Sequence, residues 1–181
     1  MWGWWSRGGF RTGFHDRVLA TLLVTDLVES TATAVAVGEA AWRELLALHQ
    51  ERMRGQIELF RGREVDMAGD GILAMFDGAA RALRCAAGMR AAAASDGLRI
   101  RAGVHVGEVE VAGESVKGVA VHEVARIAAL AGAGEILVSE STRTLAEPAG
   151  LAFQDRGEHE LKGLRGSRRL FAYVADDGSS L

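Results

Sequence analysis

The stretch "VDMAGDGILAMF", residues 65–76, sets two apolar runs on either side of a short glycine-rich turn, the pattern of a tight β-hairpin. A hairpin set among strand–helix crossovers implies an α+β sandwich, so the reading of this stretch governs the fold. Asp70 sits in the turn itself. Two readings of it stand at this point: Asp-Gly serves as ordinary turn chemistry, or the chain holds a carboxylate rigidly at the edge of a sheet.

Upstream, "VLATLLVTDL" (18–27) is a continuous apolar, β-branched run and reads as a strand buried on both faces. From Ser30 the period changes. Trp42, Leu45, Leu46, His49, Met53, Ile57 and Phe60 lie along one stripe of a single long helix, which Gly62 should stop. Downstream, "AARALRCAAGMRAAAA" (79–94) reads as a small-residue helix that packs closely on a sheet, with Cys85 buried between them. "LRIRAGVHVGEVEV" (98–111) reads as a strand in which Gly103 and Gly107 mark bulges or close backbone approach. "GESVKG" (113–118) is turn material, and 119–131 returns to helical spacing. A short strand in "GEILVSE", a helix opened by a Ser/Thr cap in "STRTLAE" and a closing β-hairpin complete the chain. The order matches a ferredoxin-like β-α-β-β-α-β core with added C-terminal helices and hairpin.

The bulk numbers narrow the function classes. The 181 residues, 49% hydrophobic and 25% charged, suit one domain with a sizeable core. A formal net charge of -3 gives no large positive field, so nucleic acid is not the expected partner. A single cysteine rules out an internal disulfide framework and suits a reducing compartment. No apolar run approaches the roughly 18 residues of a membrane span, so a soluble, cytoplasmic chain is expected. Residues 1–17, with three Trp in the first five positions, read as a disordered leader or linker, 18–174 as the folded domain, and 175–181 as a tail.

Asp26 stands at the carboxyl end of the first buried strand, in "VTDLVEST", just before the turn into the long helix. In the expected core that strand end lies beside the 65–76 hairpin, so Asp26 and Asp70 come near one another. Two hard carboxylates are what Mg²⁺ or Mn²⁺ needs for phosphoryl chemistry, because the metal neutralises phosphate oxygens and acidifies a hydroxyl nucleophile. The backbone N–H groups of "LVEST" open a helix start suited to a phosphate chain. The plainer alternative also stands: Asp26 caps the helix, Asp70 makes the turn, and no metal binds. Glu29 reads as a first-turn acid favoured by the helix dipole. His105 reads as a strand residue near an interface, with His49 and His159 structural or exposed.

The ordered set "LLVTDLVEST", "GREVDMAGDGILAMF", "RAGVHVGEVE", "GVAVHEVARIAALAGAGEILVSE" and "DRGEHELKG" resembles the class III adenylyl/guanylyl cyclase catalytic domain over residues 18–174. It looks most like the actinobacterial form that often follows a hydrolase domain, so a neighbouring regulatory domain is expected. The resemblance implies the nucleotide cyclase fold, a head-to-tail homodimer with two composite sites, and conversion of ATP to 3′,5′-cyclic AMP and pyrophosphate. It assigns Asp26 and Asp70 as metal ligands with the Leu27 carbonyl beside them. Arg126 matches the arginine that stabilises transition-state charge from the opposite subunit, and Lys162 matches a lysine near the triphosphate.

Three positions depart from the family's pattern. Asp66 replaces the adenine-selecting lysine, Ser115 stands where its Asp or Thr partner does, and His122 replaces the asparagine four residues before the arginine. An acceptor at Asp66 suits the N–H groups of guanine or the adenine amino group, while His122 still donates toward ribose or phosphate. ATP is the expected substrate and GTP the alternative. A nucleotide-binding regulatory module without turnover, and a plain dimerisation domain, are the competing readings.

Overall fold

The protein is described by a computed structural model over residues 16–174, so the Trp-rich start and the tail after Val174 lie outside the described residues. The expected folded span begins slightly earlier than read from sequence, because Asp16 and Arg17 already belong to the first strand. That strand, β1 (Asp16–Leu27), is followed by α1 (Ser30–Val37), α2 (Glu39–Leu59), β2 (Arg63–Ala68) and β3 (Gly71–Phe76). Next come α3 (Ala79–Ser95), β4 (Ile100–Ala112), β5 (Ser115–Lys117), α4 (Val119–Leu130), β6 (Ile136–Ser139) and α5 (Glu140–Ala146). A 3-10 turn, Glu147–Ala149, leads to β7 (Ala152–Glu160) and β8 (Ser167–Val174).

One sheet runs in the order β2-β3-β1-β4-β6-β8-β7, with β5 paired to β4. Its first four strands have the ferredoxin-like order. β1 pairs antiparallel with β4 along its whole length, Asp16 opposite Val111 and Leu27 opposite Ile100. On its other side it pairs with β3 from Thr21–Phe76 to Thr25–Ile72. β4 and β6 are parallel, as a crossover through α4 requires.

Both sheet faces are apolar, as the continuous β1 run foretold. Leu23 and Leu27 face α2 and α3 in a core with Met53, Ile57, Leu83 and Met89, each side chain contributing about 1.5–3 kcal/mol when fully buried. Leu22 faces the other way, with Met75, Val109, Val116, Ala120 and Val124 beneath α4. A third cluster joins α4 to the C-terminal strands through Ile127, Leu137, Leu161 and Leu170.

Three expectations change, and one open alternative is decided. The single long helix is two, because Gly38 at φ 88° and ψ 158° leaves helical space between them. The 113–118 stretch is not merely a turn, since Ser115–Lys117 pairs with Ala112–Glu110 as β5. The helix in "STRTLAE" begins at Glu140, and Ser139 at its N-terminus makes no side-chain cap. Gly103 and Gly107 make no bulge in the β1–β4 ladder. Their role is close approach: a Cβ on Gly103 would lie 2.6 Å from the Ala128 nitrogen and 2.8 Å from the Val124 oxygen.

Candidate active site

The sequence-predicted residues fall into three pairs, of which Asp66, Ser115, Arg126 and Lys162 are exposed and Asp26 and Asp70 half-buried. The first pair is Asp26 and Asp70. β1 and β3 pair as far as Thr25 and Ile72, so Asp26, the next residue of β1, and Asp70 in the turn before β3 lie at the same end of two strands roughly 5 Å apart. The hairpin turn that holds Asp70 is fixed from outside, because the Gln50 side-chain amide on α2 donates to the Gly69 carbonyl at 2.6 Å. Gly69, at φ 61°, supplies the left-handed backbone that the turn needs. Turn chemistry and a rigidly held carboxylate are therefore one arrangement.

Asp26 already carries a cation. Arg101, its register partner on β4, donates to Asp26 Oδ2 from Nη2 at 2.7 Å and Nε at 3.0 Å. Its Nη1 also reaches the Ala129 carbonyl near the end of α4, at 3.2 Å. Arg101 was not singled out in the sequence; only the strand register, which places it opposite Asp26, reveals it. Asp70 acts on the other layer, where its field raises the affinity of His49 on α2 for a proton. Among the described residues the two carboxylates share no hydrogen-bond or ion-pair partner.

The donors suit a hard divalent ion. They are carboxylate oxygens, and a guanidinium resting on Asp26 shows that this position attracts positive charge. Among the described residues no group of three or more His, Cys, Asp or Glu gathers as a metal site. Mg²⁺ is commonly held this way, by one or two carboxylates with phosphates and water completing the shell. The Leu27 side chain is buried in the α2–α3 core, which leaves only its backbone for such a role.

The second pair is Asp66 and Ser115. Their strands are not neighbours in the sheet, yet Arg63 on β2 donates to the Gly113 carbonyl in the β4–β5 turn at 2.9 Å. Val65 and Val116, next to each in sequence, pack in one apolar cluster. Both Asp66 and Ser115 remain exposed. The third pair is Arg126 and Lys162. His122 and Arg126 share the exposed face of α4 at i, i+4 spacing, and Lys162 lies exposed in the β7–β8 loop. Their buried neighbours Ile127 and Leu161 touch the same cluster.

One expectation is corrected, and the histidines find their places. Glu29 is not a first-turn acid; it occupies the position before α1 at φ 58° and pairs with Arg99 at 3.0 Å. His49 is fully buried, with neither ring nitrogen hydrogen-bonded among the described residues. Burial pushes its pKa below the ordinary value, against the opposing fields of Asp70 and Asp96. His105 is buried too, and its Nδ1 meets Ser139 Oγ at 2.8 Å. His159 is exposed and rests on the Arg156 carbonyl at 2.7 Å.

Residues 15–175 match the family described as the adenylate and guanylate cyclase catalytic domain. Among curated relatives, a putative adenylate cyclase of Rhizobium meliloti (strain 1021) is 26% identical over 170 residues, 89% of this chain and 29% of that protein. An uncharacterised protein of Mycobacterium tuberculosis (strain ATCC 25618 / H37Rv) is 31% identical over 157 residues, 80% of this chain and 52% of that protein. The chain thus spans about a third to a half of the relatives it matches. In fold it resembles the adenylyl cyclase CyaB from P. aeruginosa, with TM-score 0.85 and 20% identity over 91% of this chain and 97% of that one. It also resembles the guanylate cyclase domain from Catenaria anguillulae solved with GTP, at TM-score 0.80 and 19% identity over 88% and 98% of the two chains. Match and fold agree, and the chain belongs to the class III adenylyl/guanylyl cyclase catalytic domain family.

Proposed function

We propose that this domain is an adenylate cyclase, converting ATP to 3′,5′-cyclic AMP and pyrophosphate at composite sites between two copies of the chain. The observation that carries the reading is three placements: Asp26 and Asp70 at one end of the β1–β3 pairing, Asp66 and Ser115 exposed beside Val65 and Val116 of one apolar cluster, and Arg126 and Lys162 exposed beside Ile127 and Leu161 of another. Side chains that served only packing or turns would not need three such arrangements.

Asp26 and Asp70 would hold Mg²⁺ or Mn²⁺, which when bound offsets charge on the triphosphate and acidifies the ribose 3′-hydroxyl. Arg126 supplies a fixed positive charge where the α-phosphate gains negative charge, and His122 donates a hydrogen bond toward ribose or phosphate. Lys162 neutralises the polyphosphate as a point charge. Asp66 accepts from a base N–H group, and Ser115 donates or accepts beside it. In this chemistry, positioning and electrostatics provide most of the barrier reduction.

A second substrate has a specific observation behind it. Asp66 is exposed on β2 with no ion pair recorded among the described residues, and an unneutralised carboxylate matches the N1–H and amino donors of guanine better than the adenine N1 lone pair. Purified protein assayed with ATP and GTP in Mn²⁺ decides both points. Cyclic nucleotide should form, with ATP preferred, and Asp70→Ala should lower turnover by at least about a hundredfold. Nucleotide binding without product would favour the regulatory-module reading, and absence of nucleotide and metal binding the plain dimerisation domain.

A further inference from the structure

Glu123 is a charged side chain in a place charges rarely occupy. The residue is 8% exposed, and buried carboxylates persist only when paired. Its Oε1 accepts from Arg168 Nε at 2.8 Å, and its Oε2 lies 3.6 Å from His105 Nε2. His105 in turn meets Ser139 Oγ, which contacts Thr142 Oγ1 at 2.8 Å. One helix residue is therefore tied to β4, β8 and the start of α5.

Arg168 has a second set of obligations. Its Nη1 donates to the carbonyls of Arg165 and Ser167 at 3.0 and 3.2 Å. The Arg165 carbonyl belongs to the β7–β8 connection, the segment that presents Lys162, and Ser167 opens β8; the connection turns tightly through Leu164 N–H to Leu161 O at 3.0 Å. Glu123 lies one turn before Arg126 on α4. The helix has no side-chain cap and no acid in its first turn, so its placement depends on tertiary contacts. One ion pair, its Glu123 side chain 11% and its Arg168 side chain 36% exposed, thus grips the helix bearing Arg126 on one side and the loop bearing Lys162 on the other.

We propose that the Glu123–Arg168 pair is a positioning device that fixes the Arg126 helix and the Lys162 loop relative to one another. The proposal rests on the cyclase reading for the roles of Arg126 and Lys162, while the mechanical link rests on the contacts alone. Neither Glu123 nor Arg168 need touch nucleotide. Replacing a buried ion pair by apolar residues of similar volume commonly leaves stability unchanged or raised, whereas a misplacement of about 1 Å among groups that stabilise charge costs about a hundredfold in rate. Stability and turnover should therefore separate.

The test uses the full chain as wild type, as Glu123→Gln, and as the double variant Glu123→Leu with Arg168→Met. In the double variant the thermal midpoint should stay within about 4 °C of wild type. Amide hydrogen exchange should quicken together in 119–130 and 161–166 by at least about tenfold, with α2 and α3 unchanged. With ATP and Mn²⁺, kcat should fall at least about tenfold and KM shift by less than about twofold, the mark of an interaction needed in the transition state. Glu123→Gln, which keeps volume and loses charge, should show the same pattern more weakly; if the double variant fails to fold, this variant decides. Unchanged exchange in both segments, or faster exchange in only one, overturns the proposal. A wild type that makes no cyclic nucleotide overturns the cyclase reading, and the exchange result then judges the link alone.

Discussion

Two residues answer how charge is handled near the candidate site. Asp26 is half-buried and offset by Arg101 on the next strand, a pairing that no sequence pattern announces because 75 positions separate them. His49 is the opposite case, a fully buried titratable ring whose nitrogens have no hydrogen-bond partner among the described residues. Its folded pKa lies below the ordinary 6.5, with burial as the main cause. The unfolded chain therefore binds more protons than the folded one just below pH 6.5, and stability must rise with pH there. The contribution is fully present above about pH 6.5 and is lost as the pH falls toward the lowered folded value. Thermal unfolding followed from pH 8 to pH 5 should show this loss, and His49→Leu should flatten the slope. An unchanged slope would shift the acid sensitivity to His105, the other buried ring, whose pKa burial also lowers.

At the scale of elements, α4 is the least self-sufficient piece. It starts at Gly118 without a side-chain cap and lies so close to β4 that Gly103 has no room for a Cβ against the Val124 and Ala128 backbone. Backbone cannot give way as a flexible side chain can. Gly103→Ala should therefore cost about 1–3 kcal/mol by overpacking, measured as a lower midpoint in urea. It should also lift α4, reducing turnover more than a destabilisation of that size alone would. The α2–α3 layer behaves differently, since its Ala-rich α3 and the Met53–Ile57 stripe form a face that helical periodicity alone foretells. Only the break at Gly38 escaped that reading, because one glycine inside an apolar rhythm looks tolerable until its φ is known.

For the whole molecule, the two faces of the sheet are unequally covered. α2, α3 and α5 back one face, while α4 alone backs the other, where Val18, Val24, Val65 and Leu73 are only half-buried. Val119, 62% exposed at the start of α4, adds to the apolar surface on this side. A second copy of the chain would cover that surface, and the proposed composite site needs one. Specific activity should therefore fall on dilution through the dimer dissociation range, followed by turnover alongside sedimentation or light scattering. A monomer with full specific activity would contradict the composite site.

Local patterns were enough to establish the α+β class, the ferredoxin-like strand order and the turn around Asp70. Strand alternation, helical stripes and glycine turns are properties of residues close in sequence, and they carry their own physical cause. Asp26, Asp70 and Arg126 were legible as candidates because their flanking motifs are local too. What only the tertiary structure decided was partnership: Arg101 on Asp26, the Arg63 tie that draws Asp66 toward Ser115, and the buried Glu123–Arg168–His105 cluster. Those ties join residues far apart in the chain, 45 positions for Glu123–Arg168 and 75 for Asp26–Arg101. Their energy comes from charges and dipoles brought within hydrogen-bond reach, with water largely excluded around Glu123 and His105, and that proximity exists only after the sheet and helices have closed around them.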